Sequence, residues 1–537
     1  MVSPASDEGP PPGLFADDVA ALAAGVTGEV FQPGDAGYGV ECATFNLALT
    51  HRPAVAVGAA EPADVQAAVR FATADGLAVA VLATGHQAIV PADGAVLINT
   101  RRMSAVTADP SSRRALVQAG ARVQQVIDGA AEFDLSPMVG SSPSVGVVGF
   151  TLGGGLSPTF GRAFGWGADY VHAIEVVTAD GRLRRVSARE EPDLFWALRG
   201  SRSNMGVVTA VEMELHDVTR LYGGGLFFSG RDAASVLDAY RGFTASVPDQ
   251  LTSSIALLRM PDVASVPELL RDAFMVHIRI AYVGTAAEGD RLAMPLRRAV
   301  PPVLDTLGDM PLTDFASIHN DPVDPLFFRE WTAMLREFTP EAVDTLIDIA
   351  GPGTDPPVEF DEVRHLGGAF GRQVGPPSAV GNRDAAFAVW IMSTGPSSVG
   401  DATRVRGGCV GRTSAVEHRT GLPQLHLVRY DARERHVHAR DLCAAAGGQG
   451  VLRPGERVSS QPERSAAPRE MTNSPRKSAA CARVDSRGQA VTRSSPTRAD
   501  RRTRRLAGTV AGTGAPRRGR PNLCTRASCV RSRRRLK

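Results

Sequence analysis

The chain is expected to fold as an α+β protein of two domains, followed by a long C-terminal tail with no fold of its own. Three observations predict this. Helix and strand patterns mix with a hairpin between Arg52 and Leu215, a second run of strands and helices follows from about His216, and apolar periodicity fades after Val405-Arg406. Residues 1 to 45 read as a Pro- and Gly-bearing lead-in. Glu61-Pro62-Ala63-Asp64 opens a helix, because Pro suits the first turn and acids suit its positive end. Val65, Ala68, Val69 and Ala72 recur at helical spacing, and Gly76 ends the run. Leu77 to Leu82 reads as a buried strand, with further strands at 95–98 and 115–119 and a helix over 122–133. Val171 to Val177, the turn Ala179-Asp180-Gly181 and Leu183 to Ser187 form a hairpin. Pro192 to Leu198 is a short helix, and Gly206 to Leu215 a strand. In the second domain strands are expected at 224–228, 253–258, 274–282, 358–366 and 385–392, and helices near 231–246, 286–299 and 324–337.

Composition excludes several classes. Apolar residues make up 43% of the 537, ordinary for a soluble globular chain. No apolar run is long enough to span a membrane, and the N-terminus lacks the basic start and apolar core of a secretory signal, so a cytoplasmic protein is expected. The net charge of +2 hides an asymmetry: Val451 to Lys537 carries 23 Lys and Arg against 5 Asp and Glu, and the preceding residues carry 36 against 52. Cys42 stands alone, while Cys409, Cys443, Cys481, Cys524 and Cys529 lie late. That distribution fits neither a disulfide framework nor a metal site, and no metal is expected.

Two stretches carry the chemistry. One is Ala83-Thr84-Gly85-His86-Gln87, just after a strand. The other runs from Gly140-Ser141-Ser142-Pro143-Ser144-Val145-Gly146 through Val147-Val148-Gly149-Phe150-Thr151-Leu152 to Gly153-Gly154-Gly155. Glycines and hydroxyls at this density let backbone N–H groups approach an anion closely, as in a pyrophosphate nest. The G-x-G-x-x-G fingerprint between a strand and a helix is absent, which argues against a doubly wound dinucleotide fold.

In these segments the sequence resembles the FAD-binding domain of the vanillyl-alcohol oxidase and p-cresol methylhydroxylase type, in its berberine-bridge-enzyme-like branch. The likeness runs from about Arg52 to Leu215, and more loosely to about Arg406. Gly85-His86 falls where the family has Gly-Gly-His, and Ser142-Pro143-Ser144-Val145-Gly146 where bicovalent members have Cys-Pro-Thr-Val-Gly. Pro192 to Gly200 and Asn204-Met205-Gly206-Val207-Val208-Thr209 resemble the closing segments.

The resemblance implies FAD attached covalently through His86, with contacts from Thr84, Gly85, Gln87, Ser141, Ser142, Val145, Gly146, Gly149, Phe150, Gly153, Gly154, Gly155 and Val208. Ser142 stands in the position of a second, cysteinyl link, so a single covalent bond is expected. Gln87 follows the histidine where small residues are usual; Val148 replaces a glycine and Phe150 a histidine. A neutral imidazole is a competent nucleophile, and FAD then carries the redox chemistry. Arg364-His365-Leu366-Gly367-Gly368-Ala369 resembles the strand facing the flavin ring in relatives, so His365 is the candidate to bind or deprotonate a substrate hydroxyl.

The implied domains are an FAD-binding part at 46–218 and a substrate-binding part at 219–405, with residues 406–537 as a basic tail. The implied reaction oxidises an alcohol, amine or activated C–H of a small molecule, such as a sugar or secondary metabolite, with O2 taking the electrons. A nucleic-acid-binding tail is the rival reading, but no Phe, Tyr or Trp follows Tyr430. Back-translation offers another reading of the tail. Started one nucleotide later, the codons for 452–464 permit Y-D-P-A-N-V-F-R-L-N-Q-N, and those for 422–426 permit Y-L-N-F. Both resemble the family's own C-terminal segments, so the tail is read as disordered and out of frame from near Arg406, and the chain as written as catalytically impaired.

Overall fold

The computed structural model describes residues 16–87, 90–201, 205–354 and 360–394. The predictions for the tail from 406 onward lie outside the described residues.

The chain opens with helix α1 (Ala16–Ala24), strand β1 (Glu29–Phe31) and helix α2 (Tyr38–Glu41), so the segment read as a lead-in is part of the fold. Strand β2 (Val55–Gly58), helix α3 (Pro62–Ala74), strand β3 (Val79–Leu82) and strand β4 (Val96–Asn99) follow. They make a four-stranded sheet in the order β1-β2-β4-β3, with β2, β4 and β3 parallel. Pro62 occupies the first turn of α3, and Gly76 just past its end has φ +67°. The strand expected to be buried at 77–82 is the sheet edge instead, with Val79 and Val81 exposed. An apolar run does not distinguish a central strand from an edge, because only its neighbours decide that.

A second, five-stranded sheet has the order β5-β6-β9-β7-β8, built from β5 (Val106–Asp109), β6 (Arg114–Gln118), β7 (Val171–Val177), β8 (Leu183–Ser187) and β9 (Val207–Glu214). Between β6 and β9 lie α4 (Val123–Ala131), α5 (Val147–Leu152), α6 (Gly161–Phe164) and α7 (Pro192–Leu198). The predicted hairpin is β7 and β8, joined in antiparallel register. Part of the glycine-rich segment, Val147–Leu152, is the helix α5.

The third sheet has eight strands: β10 (Arg220–Ser229), β11 (Leu251–Arg259), β12 (Phe274–Tyr282), β13 (Leu304–Asp305), β14 (Gly308–Pro311), β15 (Phe328–Leu335), β16 (Phe360–His365) and β17 (Phe387–Thr394). Their order is β13-β10-β12-β11-β16-β17-β15, with β14 also paired to β10. Helices α8 (Ala233–Thr244), α9 (Ala286–Ala299) and α10 (Pro340–Ala350) belong to this part; the Thr285 and Thr339 hydroxyls cap α9 and α10. The helix expected at 324–337 is instead the strand β15, paired with β17 from Phe328↔Thr394 to Leu335↔Phe387. The stretch Phe-Arg-Glu-Trp-Thr-Ala-Met-Leu fits either period, and the open edge of β17 selects the extended one.

Side chains alternate across this sheet. One face presents Leu226, Phe228, Val276, Ile278, Ile255, Leu257, Val363 and Phe387 to a core shared with α8, α9 and α10. The opposite face carries Ser254, Arg279, Glu362, Arg364, Trp390 and Glu330. This mixed architecture is the expected α+β class. Among the described residues no helix is long and apolar enough to cross a membrane, and no cluster of His, Cys, Asp and Glu is arranged to hold a metal ion.

Candidate active site

The loop after β3 brings His86 against the start of the glycine-rich segment. His86 Nδ1 lies 3.0 Å from the Thr84 hydroxyl and Nε2 lies 3.2 Å from the Ser144 hydroxyl. The Ser144 hydroxyl is in turn 2.9 Å from that of Ser142, and Gly146 N–H donates to Thr84 Oγ1 at 3.3 Å. Phe45 stacks on the imidazole at 3.8 Å, with the rings only 11° from parallel. Burial lowers the His86 pKa to about 4, with the nearby Arg122 charge adding to the effect against Asp321. The ring is therefore neutral at physiological pH, with a lone pair available for nucleophilic attack.

Gly85 makes this turn possible. Its φ is +74°, and a Cβ there would stand 2.1 Å from the Thr44 hydroxyl oxygen. The same Thr44 hydroxyl donates to Gly85 C=O at 2.8 Å, and Asn46 N–H donates to it at 3.3 Å. Beyond His86, the Gln87 carboxamide donates to Glu330 of β15 at 2.7 Å. That bond sets the polar face of the eight-stranded sheet opposite the histidine loop. On this face Glu362 is fully buried, accepting from Ser254, Arg279 and Arg364 at 2.6 to 2.8 Å. Burial opposes its ionisation, but the two guanidinium groups outweigh that and hold it well below the usual carboxylate range.

The predicted cofactor contacts divide into groups. Thr84, Gly85, His86, Ser142 and Gly146 converge through the bonds just described. Gln87 points to the sheet. Gly146 is the N-cap of α5 and Gly153 its C-cap, so the triglycine run begins one short helix away, on the order of 10 Å at 1.5 Å per residue. There Gly167 N–H donates to Gly155 C=O and Ala168 N–H to Gly154 C=O, and a Cβ on Gly155 would meet the Gly167 backbone at 2.8 Å. The Phe150 ring lies against Gly140, whereas open space surrounds the position a Cβ would take at Gly149. Ser141 is half-buried, and Val145 and Val208 are half-buried against the core of the five-stranded sheet.

His365 departs from the expectation. It ends β16 on the helix-facing side, in register with Phe387 and stacked on it at 5.3 Å, whereas Glu362 and Arg364 face the other way. Its Nε2 sits 2.9 Å from Arg162 Nη1, and burial with the Arg162 charge lowers its pKa to about 3. An imidazole whose lone pair accepts from a guanidinium is a poor base, and strand alternation places His365 on the face opposite Glu330, Glu362, Arg364 and Trp390.

Thr44, Phe45, Glu330 and Trp390 join this cluster without any sign in the sequence, and Ser144, part of the Ser142–Gly146 motif, joins it as a direct partner of His86. Phe45, Glu330 and Trp390 carry no local signal, because only tertiary pairing brings them to the loop.

Residues 53–187 match the FAD binding domain family. Over 200 residues the chain is 32% identical to (R)-6-hydroxynicotine oxidase of Paenarthrobacter nicotinovorans, an overlap of 36% of this chain and 43% of that enzyme. The fold is similar to BBE-like 1 of Physcomitrella patens, with a TM-score of 0.66 at 17% identity over 79% of this chain and 96% of that one. It is also similar to the carbohydrate oxidase of Microdochium nivale, with a TM-score of 0.63 at 20% identity over 74% and 88% of the two chains. The chain spans less than half the length of the curated relatives it matches. Residues 53–187 therefore carry an FAD-binding domain, within a fold similar to that of BBE-like 1.

Proposed function

We propose that the protein is an FAD-dependent oxidoreductase whose flavin is tethered through His86 and which oxidises an alcohol, amine or activated C–H of a small molecule, with O2 as acceptor. Residues 46–218 hold the flavin on this reading, and residues 219–405 the substrate. The observation that carries it is the neutral imidazole of His86, set between two hydroxyls inside a matched FAD-binding domain.

The residues fit the cofactor. The hydroxyls of Thr84 and Ser144 steer the ring nitrogens, Gly146 and the open space at Gly149 leave room beside the loop, and no cysteine stands at position 142. Thr84, His86, Ser144 and Gly146 would hold the flavin, with the neutral His86 imidazole as the nucleophile for the tether and O2 as the oxidant that attachment requires; when bound, FAD would supply hydride acceptance at its ring. The polar face of the large sheet, with Arg364 and the Trp390 ring on it, offers a guanidinium and an aromatic surface to a polar small molecule. Named relatives act on nicotine derivatives and carbohydrates, both polar small molecules, which supports the substrate class.

The test is acid precipitation of purified protein. A yellow pellet from the wild type and a colourless one from His86→Ala are expected, with peroxide released on turnover of an alcohol or amine panel. Full release of flavin from the denatured wild type overturns the tether; no flavin bound at all overturns the oxidoreductase.

A further inference from the structure

We infer that Gln87 and Glu330, with Trp390 behind them, form a clasp that sets the position of His86, so that covalent flavin attachment depends on the eight-stranded sheet being docked. This rests on the tether proposed above. Gln87 is exposed, yet its carboxamide donates to Glu330 Oε1 at 2.7 Å across 243 residues of chain. The other oxygen, Glu330 Oε2, accepts from the Trp390 indole on the adjacent strand β17 at 3.0 Å. The Arg364 guanidinium lies over the Trp390 ring, 4.9 Å from its centroid, and Arg364 Nε donates to Glu362 at 2.6 Å. The carboxylate that grips the histidine loop is thus itself held from behind by a half-buried network anchored on the buried Glu362. An acceptor with both oxygens engaged has one geometry, whereas an exposed Glu on a free strand samples many.

A second connection runs beside the first. Leu47 N–H donates to Leu326 C=O at 3.0 Å, Leu326 N–H to Phe45 C=O at 3.1 Å, and Phe328 N–H to the Asn46 side chain at 3.4 Å. Phe45, pinned this way, is the residue stacked on His86, and its ring also meets Phe328 edge-on at 6.4 Å. The segment 326–330 entering β15 therefore holds the histidine twice: by its ring face through Phe45, and by its chain neighbour through Gln87. Hydroxyls at Thr84 and Ser144 orient the ring nitrogens, but Thr84 belongs to the loop itself and Ser144 to the glycine-rich segment, so neither ties the loop to the eight-stranded sheet. Glu330 is on this account a positioning residue, acting through Gln87.

The experiment uses the full chain with Gln87→Ala, Glu330→Ala, both together, and the exchanged pair Gln87→Glu with Glu330→Gln. Two readouts are taken. The first is the covalent fraction of bound FAD, as flavin absorbance after and before acid precipitation. The second needs no flavin: the rate at which diethyl pyrocarbonate modifies His86 in the apoprotein, followed by peptide mass. Each single variant is expected to lower the rate of covalent attachment on adding FAD by about tenfold, the size of one lost charge-assisted hydrogen bond. Each is expected to raise the modification rate severalfold, and the double variant should be no worse than either single. The exchanged pair, which keeps a donor opposite a carboxylate, should recover most of both, which a general loss of folding would not do. Unchanged modification rates in all variants overturn the clasp. Altered modification with unchanged attachment overturns its role in flavin loading. Altered modification in a protein whose wild type holds FAD only non-covalently leaves the clasp standing and removes the tether.

Discussion

His86 and His365 are two neutral, largely buried histidines in the same molecule, and the difference between them lies in what touches their nitrogens. His86 faces two hydroxyls, groups that accept or donate and can exchange places with a ligand. His365 faces Arg162, which only donates and also binds the Leu251 and Leu366 carbonyls. The first imidazole shares its lone pair with a neutral hydroxyl, whereas the second spends it on holding the end of a strand to α6. Burial lowers both pKa values, so a lowered pKa alone does not mark a reactive histidine.

The largest expected effect separates them directly. His86→Ala should abolish covalent flavin entirely, while His365→Ala should keep the covalent fraction near that of the wild type and lose stability instead. Leaving Arg162 with one fewer partner in a buried site costs about 1–3 kcal/mol, read as a lower midpoint in urea. Loss of covalent flavin in His365→Ala at full stability would reverse the assignment.

Acid should act on both. The folded state holds each ring neutral, with pKa values of about 4 and about 3, against 6.5 for an unperturbed histidine. Below pH 6.5 the unfolded chain takes up protons that the folded chain does not, so the stability these rings contribute is whole above that pH. It falls away as the pH drops towards 4 for His86 and 3 for His365. At about 1.4 kcal/mol per unit, each contributes on the order of a few kcal/mol in the apoprotein. Denaturant titrations from pH 7 to 4 should show the slope diminish in His86→Gln and in His365→Gln; a flat profile in the wild type would contradict the burial of both.

Gly85→Ala sharpens the account of the loop. Its Cβ would collide with Thr44 at a backbone angle that disfavours side chains, a strain of about 1–3 kcal/mol. Flavin loading should fall with only a small change in the unfolding midpoint, since the loop yields locally. The smallest effects belong to the serines: Ser144→Ala, which removes a direct partner of His86, should slow attachment by about fivefold, about 1 kcal/mol. Ser142→Ala, one hydroxyl further away, should slow it less. Equal effects would show that the two hydroxyls act as one unit.

The local signals that the sequence carried were those with a short-range physical cause. Pro62 and Gly76 bounded α3, turn residues 179–181 closed the β7–β8 hairpin, and glycine followed by histidine marked the loop where Gly85 takes a left-handed angle. The motif order across residues 52 to 215 carried the FAD-binding domain matched at 53–187, because each motif is a contiguous segment of chain. What the tertiary structure decided was non-local. Residues 328–335 suit a helix or a strand, and the unpaired edge of β17 made them a strand. Strand parity then turned Glu330, Glu362, Arg364 and Trp390 towards the histidine loop and His365 away from it. A one-residue shift of register would exchange those two sets, and no residue within the strand records which register its neighbour will impose.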